Sequence, residues 1–275
     1  MTYKIIKKEK LAHRITRMEI EAPDIVSHAR PGQFVVVISH PEAERIPLTI
    51  ADLDPQKGSV TLVIQEIGHS TTRLTQMIAG ENIYGLLGPL GKATHVSLLG
   101  TIICVGGGVG VAEMIPIARA FKNAGNRVVA IIGARSKDLI ILEEELKTVS
   151  HQIHVATDDG SYGVKGLVTD VLKNVLAQEA CHLVYTIGPV PMMKAVAEMT
   201  RPDKIKTIAS LNPIMVDATG MCGACRCKVE GKTVFACLDG PEFDAHQVDF
   251  EEIGKRLKFF KTQEDVITKI MPANE

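Results

Sequence analysis

The stretch "GTIICVGGGVGVAEMIP", Gly100 to Pro116, decides the fold of this chain. It opens on a short β-branched apolar run and turns through Gly106, Gly107, Gly108 and Gly110. It continues as a helix-forming segment, "VAEMIPIARAFKNAG", that Gly125 stops. Glycines between a buried strand and a helix let the backbone approach a pyrophosphate, and N–H groups at the helix start face its negative charge. The order G-G-G-x-G departs from G-x-G-x-x-G, so the strand–loop–helix setting, rather than the spelling, signals nucleotide binding. A tight turn with no ligand is the plainer reading of the same glycines.

The rhythm continues downstream. "RVVAIIGA", "QIHVAT", "HLVYTIGP" and "KIKTIAS" read as strands, while "DLIILEEELKTVS", "GLVTDVLKNVLAQ" and "VPMMKAVAEMT" read as helices. Strands alternating with helices of this length predict βαβ units and a parallel sheet, with ligands at the strand C-termini. Two more loops fall there: "TDDGSYG", which carries Asp158, and "IGPVPMM", which carries Gly188 and Pro189. Both are also ordinary Asp-Gly and Gly-Pro turns.

Upstream, "YKIIKKEK", "ITRMEIEAP", "QFVVVIS" and "SVTLVIQ" are short β-branched runs between Pro/Gly turns, which predicts a small antiparallel barrel. One helix is expected at "STTRLTQMIAG", opening on a Ser/Thr cap and closing at Gly80, and "GPLGK" reads as a turn cluster. The division expected is a barrel over residues 1–97, an α/β nucleotide domain over 98–210, a cysteine-rich subdomain over 211–250 and a tail over 251–275. The tail, "EEIGKRLKFFKTQEDVITKIMP", has an amphipathic helical pattern.

Bulk properties narrow the function. Lys and Arg number 31 against 32 Asp and Glu, so no strong field selects nucleic acid or an anionic membrane. The absence of Trp argues against a reader that stacks bases. No apolar stretch is long enough to span a bilayer, and the N-terminus has no signal-peptide core. The expectation is a cytoplasmic protein. Four of the six cysteines crowd into the last quarter, which suits a metal site in a reducing compartment better than a disulfide framework.

Those four sit in or near "DATGMCGACRC", Asp217 to Cys227, and spell D-x4-C-x2-C-x11-C with Asp217, Cys222, Cys225 and Cys237. Plant-type two-iron sites read C-x4-C-x2-C…C, so the aspartate holds the first ligand position at the correct offset. Zinc competes: Cys222, Cys225, Cys227 and Cys237 would make a four-cysteine site, although a zinc ribbon wants two C-x2-C pairs and the chain has one. Either Asp217 or Cys227 then completes the set.

With these motifs in order, the whole chain resembles the ferredoxin-NADP reductase superfamily: "RIPLTI", "GHST" before a helix, "GPLG", "GGGVG" and "IGP". The cysteine segment is similar to one branch, the electron-transfer subunit of NAD-dependent dihydroorotate dehydrogenase and the small subunit of NADH-dependent reduced ferredoxin:NADP oxidoreductase. The resemblance implies FAD in the barrel, NAD(H) on the α/β domain and a [2Fe–2S] cluster on the cysteines. It maps the flavin motif onto Arg45, Pro47, Leu48 and Thr49, with Thr49 near flavin N5 and Leu48 in place of an aromatic. It maps flavin phosphates onto Gly68, Ser70 and Thr71, and the nucleotide half of the flavin onto Val63 and Gln65. Gly188 and Pro189 match a Cys-Gly-Pro near the nicotinamide, with Ile187 in place of the cysteine.

The same resemblance implies a heterodimer with a larger flavin and iron–sulfur subunit and electron bifurcation, with no acid–base catalytic residue. The ferredoxin-coupled member is similar in placing Asp at the first ligand position; the dihydroorotate dehydrogenase subunit uses Cys. A non-redox, zinc-stabilised nucleotide-binding module is the reading from a different class. Because a carboxylate donates less charge to iron than a thiolate does, Asp217 is expected to raise the cluster potential. Asp217→Cys then lowers the midpoint in a redox titration; an unchanged or higher midpoint contradicts that expectation.

Overall fold

In a computed structural model, residues 2–261 and 266 are described. The chain begins with β1 (Tyr3–Ala12), β2 (Ile15–Glu21), a short α1 (Pro23–Val26), β3 (Phe34–Ile38), β4 (Ile46–Asp54) and β5 (Ser59–Gln65). Then come α2 (His69–Gln76), β6 (Asn82–Ile83) and β7 (Gly85–Leu90). The strands form one antiparallel sheet, ordered β6-β1-β2-β5-β4-β3-β7, which curls into a nearly closed barrel. Alternate residues such as Met18, Ile20, Val35, Val37, Leu62 and Ile64 point inward and make its core.

The second sheet follows as β8 (Thr101–Gly107), α3 (Gly110–Asn123), β9 (Arg127–Ala134), α4 (Glu143–Val149), β10 (Gln152–Thr157) and β11 (Val164–Lys165). It continues through α5 (Val168–Gln178), β12 (Leu183–Ile187), α6 (Val190–Thr200) and β13 (Thr207–Ser210). These strands pair in parallel, with β8 at the centre between β9 and β12. Both faces of β8 are buried. Ile102 and Cys104 pack under α3 and α4, and Ile103 and Val105 pack under α5. Burial on both faces is why the run reads as continuously apolar.

The last segment contributes β14 (Arg226–Val229), β15 (Lys232–Phe235), α7 (Ala236–Asp239), β16 (Glu242–Asp244) and α8 (Phe250–Arg256). β14 and β15 form a hairpin, while β16 pairs antiparallel with β13 and so extends the nucleotide sheet. The cysteine-rich segment is therefore stitched to its neighbour by a strand. Phe34 and Val36 of the barrel, Met193 and Ala197 of α6, and Cys225, Cys237, Phe250 and Ile253 share one core, which joins the three parts.

Several expected boundaries move. The helix expected over "DLIILEEELKTVS" forms only at Glu143–Val149, because Leu142 takes a left-handed φ of 57° and interrupts it. The helix expected over "STTRLTQMIAG" starts on Gly68 as its cap and ends at Gln76, before Gly80. "GPL" of the expected turn cluster ends strand β7, and "IPLTI" opens strand β4, with Arg45 just ahead of it. α8 covers the start of the amphipathic tail; the remainder beyond Lys261 lies outside the described residues, Val266 excepted. Among the described residues, no helix is long and apolar enough to cross a membrane.

Candidate functional site

At the C-terminal edge of the parallel sheet, the loops after β8 and β12 meet. A Cβ on Gly110 would stand 2.7 Å from the carbonyl oxygen of Ile187, and one on Gly188 would stand 3.0 Å from the backbone of Gly107. Gly188 has a φ of 150° and Gly108 one of 56°, conformations that side chains other than glycine's rarely take. Gly108 donates its N–H to the Gly133 carbonyl at 3.1 Å, so the loop is also tied to β9. Gly106 to Gly110, Gly188 and Pro189 thus form one cradle of bare backbone. Asp158 stands apart, exposed beyond β10, with its N–H donated to the Ala134 carbonyl.

In the barrel, β4 carries Pro47, Leu48 and Thr49 opposite Val36, Val35 and Phe34 of β3. Thr49 lies near Glu113, the fourth residue of helix α3, and β4 packs along that helix, its Asp52 carboxylate accepting from Arg119 at 2.5 Å. Burial pushes the Glu113 carboxyl up to about 7, and the nearby Thr49 hydroxyl opposes that rise. At the other end of the motif, Arg45 donates to Asp217 of the cysteine loop, Nη1 to Oδ1 at 2.6 Å. The segment from Arg45 to Asp52 therefore joins the cysteine loop, through Arg45–Asp217, and helix α3, through Asp52–Arg119.

The flavin-phosphate positions are less prepared. The Thr71 hydroxyl accepts from the N–H groups of Ile67 and Gly68, at 3.0 and 3.2 Å, and so serves the helix start. The Ser70 hydroxyl donates to Glu44. Val63 is buried against the nucleotide domain with Ile15 and Ala51, while Gln65 is exposed at the strand end. Close to Val63, a cavity of about 160 Å³ is crossed by the pairs Arg17–Glu145 at 2.6 Å and Arg119–Asp52 at 2.5 Å. Its lining includes neither Thr49 nor a glycine of the loops.

The cysteine loop is shaped by left-handed backbone at Ala218, Gly220 and Gly223. Any side chain at Gly220 would strike Leu238, with a Cβ 2.2 Å from its Cδ1. The turns aim N–H groups at sulfur. Those of Ala224, Asp217 and Val216 hold the Cys222 thiol below its usual range, Ala224 most strongly. Cys225 and Cys237 are buried with their sulfurs 3.2 Å apart. Burial, then the neighbouring Cys225, pushes the Cys237 thiol up to about 12, while the Gly220 N–H lowers it. Cys227 is buried on β14 and donates to the Cys225 carbonyl at 3.5 Å. Asp217 is committed elsewhere, to Arg45 and to the Thr219 N–H at 3.1 Å. Among the described residues, no three His, Cys, Asp or Glu groups converge at metal-binding distance.

The donor set nevertheless suits an iron–sulfur cluster. Two thiolates on one tetrahedral metal, with bonds of about 2.3 Å, stand roughly 3.8 Å apart, close to the Cys225–Cys237 pair. N–H groups directed at the sulfurs are one of the devices that set cluster potentials.

Comparison with known proteins agrees with this geometry. Residues 212–249 match the iron–sulfur cluster binding domain of dihydroorotate dehydrogenase B, and residues 104–198 match the oxidoreductase NAD-binding domain. A "Dihydroorotate dehydrogenase B (NAD(+)), electron transfer subunit homolog" of Thermotoga maritima is 43% identical over 95% of this chain and 93% of its own length. The dihydroorotate dehydrogenase B electron transfer subunit of Fusobacterium nucleatum is 34% identical over 86% and 93%. The chain belongs to this electron-transfer subunit family. A solved structure of an NADH-dependent reduced ferredoxin-NADP oxidoreductase, studied for flavin-based electron bifurcation, superposes with a TM-score of 0.93 at 40% identity, covering 98% of both chains. A ferredoxin reductase of carbazole 1,9a-dioxygenase, at 19% identity and a TM-score of 0.64, shares the fold.

Family and fold together make the chain an oxidoreductase subunit that carries electrons among NAD(H), FAD and an iron–sulfur cluster. The sequence reading gave Glu113 no role. The available signal was a lone acid in the first turn of a helix otherwise buried on that side.

A carboxyl raised in the folded state costs stability once pH passes its unfolded value. The Glu113 cost is absent near pH 4, grows as pH rises, and is complete above about 7. Glu113→Gln is therefore expected to raise the melting temperature at pH 8, by up to about 3 kcal/mol of stability, and to leave it unchanged near pH 4. Thermal melts at both pH values check this; an equal shift at the two contradicts it.

Proposed function

We propose that this chain is the small, cytoplasmic subunit of a bifurcating heterodimer. In that role it passes electrons between NAD(H), FAD and a [2Fe–2S] cluster to a larger flavin and iron–sulfur subunit, in a reaction that oxidises NADH and reduced ferredoxin and reduces NADP⁺ to NADPH. One observation carries the reading: the stretch from Arg45 to Asp52 pairs with Asp217 of the cysteine loop at one end and with Arg119 of helix α3 at the other, which brings the three parts together along β4. Asp217 at the first ligand position favours the ferredoxin-coupled reading over the dihydroorotate-coupled one. All six cysteines are free thiols, as a reducing compartment requires.

When bound, the flavin exchanges a hydride with the nicotinamide and single electrons with the cluster. The residues position these groups. Gly106, Gly107, Gly108 and Gly110 admit the pyrophosphate; Gly188 and Pro189 border the nicotinamide, and Asp158 reaches the nucleotide from β10. Pro47, Leu48 and Thr49 border the flavin ring, with Arg45, Gly68, Ser70 and Thr71 toward its phosphates and Val63 and Gln65 beside its nucleotide half. Asp217, Cys222, Cys225 and Cys237 hold the cluster. Around the exposed Cys222, Val216, Met221 and Leu238 leave apolar surface uncovered, which supports docking of the larger subunit there.

The test is co-expression with the larger subunit and anaerobic assay with NADPH. Ferredoxin reduction that requires NAD⁺ supports the proposal. Ferredoxin reduction that ignores NAD⁺, or flavin bleaching by dihydroorotate, overturns it, the latter in favour of the pyrimidine-linked reading.

A further inference from the structure

We propose that Arg226 and Arg256 raise the potential of the iron–sulfur cluster from outside its loop, by polarising the peptides that join Gly223, Ala224 and Cys225. Both are positioning residues: they hold main-chain oxygens and act on sulfur through the N–H at the far side of each peptide. The inference rests on the assignment of the cluster to Cys222 and Cys225 in the reading above.

The geometry sets dipoles in line. The Ala224 N–H donates to the Cys222 sulfur at 3.4 Å. The carbonyl of that same peptide, on Gly223, accepts from Arg226 Nη1 at 3.2 Å. A trans peptide points its C=O and N–H in opposite directions, and the cis bonds of this chain lie elsewhere, before Pro89 and Pro241. The guanidinium therefore stands at one end of the peptide and the Cys222 sulfur at the other. One peptide further on, the Ala224 carbonyl accepts from Arg256 Nη2 at 2.8 Å. The N–H of that second peptide belongs to Cys225 and points away from Arg256.

Two separate elements supply the arginines. Arg226 opens β14, and Arg256 ends α8, which packs on β14. Phe250 and Ile253 of α8 share a core with Cys225, Cys227 and Cys237. At its start the helix is fixed to the same strand, the Asp249 N–H donating to the Lys228 carbonyl at 2.9 Å. Elsewhere Arg17, Arg45, Arg119 and Arg127 direct their guanidinium groups at carboxylates. Arg226 and Arg256 direct theirs at neighbouring carbonyls of the short loop between two cysteines.

The sign follows from the order of the groups. A cation on a carbonyl oxygen draws density from the N–H across the peptide and strengthens its donation, since hydrogen bonds in series polarise one another. A stronger N–H···S bond draws charge from the sulfur, which then gives less to iron. The reduced cluster, carrying the extra electron, gains most, so the potential rises.

The experiment is an anaerobic redox titration of the cluster-loaded full chain, read by EPR and poised with dithionite rather than NADH. Arg226→Gln and Arg256→Gln are each expected to keep native iron content and to weaken the cluster's hold on its electron by roughly threefold, a fall of about 30 mV for one electron. Arg226→Lys, which keeps a cation beside the carbonyl, recovers most of the fall. The fall persists at about 1 M salt, where a bare exposed charge is screened. Pulsed EPR after exchange into deuterated buffer is expected to show a weaker deuteron coupling to the reduced cluster in Arg226→Gln. Native midpoints in both glutamine variants overturn the proposal and leave the cluster reading standing. A fall that salt abolishes, with the deuteron coupling unchanged, also overturns it, in favour of simple charge. A native chain that shows no two-iron signal with dithionite overturns the proposal and the reading beneath it together.

Discussion

Cys225→Ala is expected to abolish the cluster and unfold the segment around residues 212–249, while FAD stays bound and NADH still bleaches it. Cys225 is buried, its sulfur lies 3.2 Å from that of Cys237, and its carbonyl accepts the Ala236 N–H that anchors the turn into α7. The segment has few large apolar residues of its own, and its loop runs through three left-handed positions, Ala218, Gly220 and Gly223. In such a segment the free energy of metal binding is folding free energy, so removing one ligand removes both. The barrel interior and the core that the parallel sheet shares with Ile15, Ala51 and Val63 contain no residue of the cysteine segment, and both survive. Iron analysis, visible absorbance and protease resistance of the cysteine segment check this. Full iron content in Cys225→Ala contradicts the ligand assignment.

Gly110→Ala is expected to weaken NADH binding by about 10- to 100-fold, the effect of displacing packed backbone at a cost of about 1–3 kcal/mol. The new Cβ would lie 2.7 Å from the Ile187 oxygen and 3.0 Å from its carbon, both main-chain atoms that cannot turn aside. Helix α3 must then move off the end of β12, and that movement opens the joint between the two glycine loops. Glycine content alone is not the cause. Gly254, inside α8, has nothing within 4 Å of where a Cβ would stand, so Gly254→Ala is expected to stabilise by about 1 kcal/mol. NADH titration by fluorescence measures the first effect, and unchanged affinity in Gly110→Ala contradicts the close-approach account.

Much of this was legible in the residues. The run from Thr101 to Gly107 is apolar at successive positions because both faces are covered, and that alone announces a parallel sheet. Met18, Ile20, Leu62 and Ile64 alternate because one barrel face is wet. The cysteine spacing announced a cluster because ligand geometry fixes spacing along a loop. What failed depended on partners distant in sequence. β16, three residues long, has no pattern of its own and becomes a strand only beside β13. "GPLG" reads as turn residues, yet Gly88 sits in β7 because that strand pairs with β3, and the position takes glycine because a Cβ there would meet Val35 at 2.7 Å. Arg45 and Asp217 are 172 positions apart, and nothing local links them.

If nucleotide, flavin and cluster meet along the stretch from Arg45 to Asp52 and exchange electrons within this one chain, NADH alone reduces all of them. Anaerobic EPR of the isolated protein before and after NADH is the direct measurement. Flavin bleaching together with a new rhombic signal from the reduced cluster is expected. Stoichiometric zinc in an EPR-silent, colourless protein would contradict it.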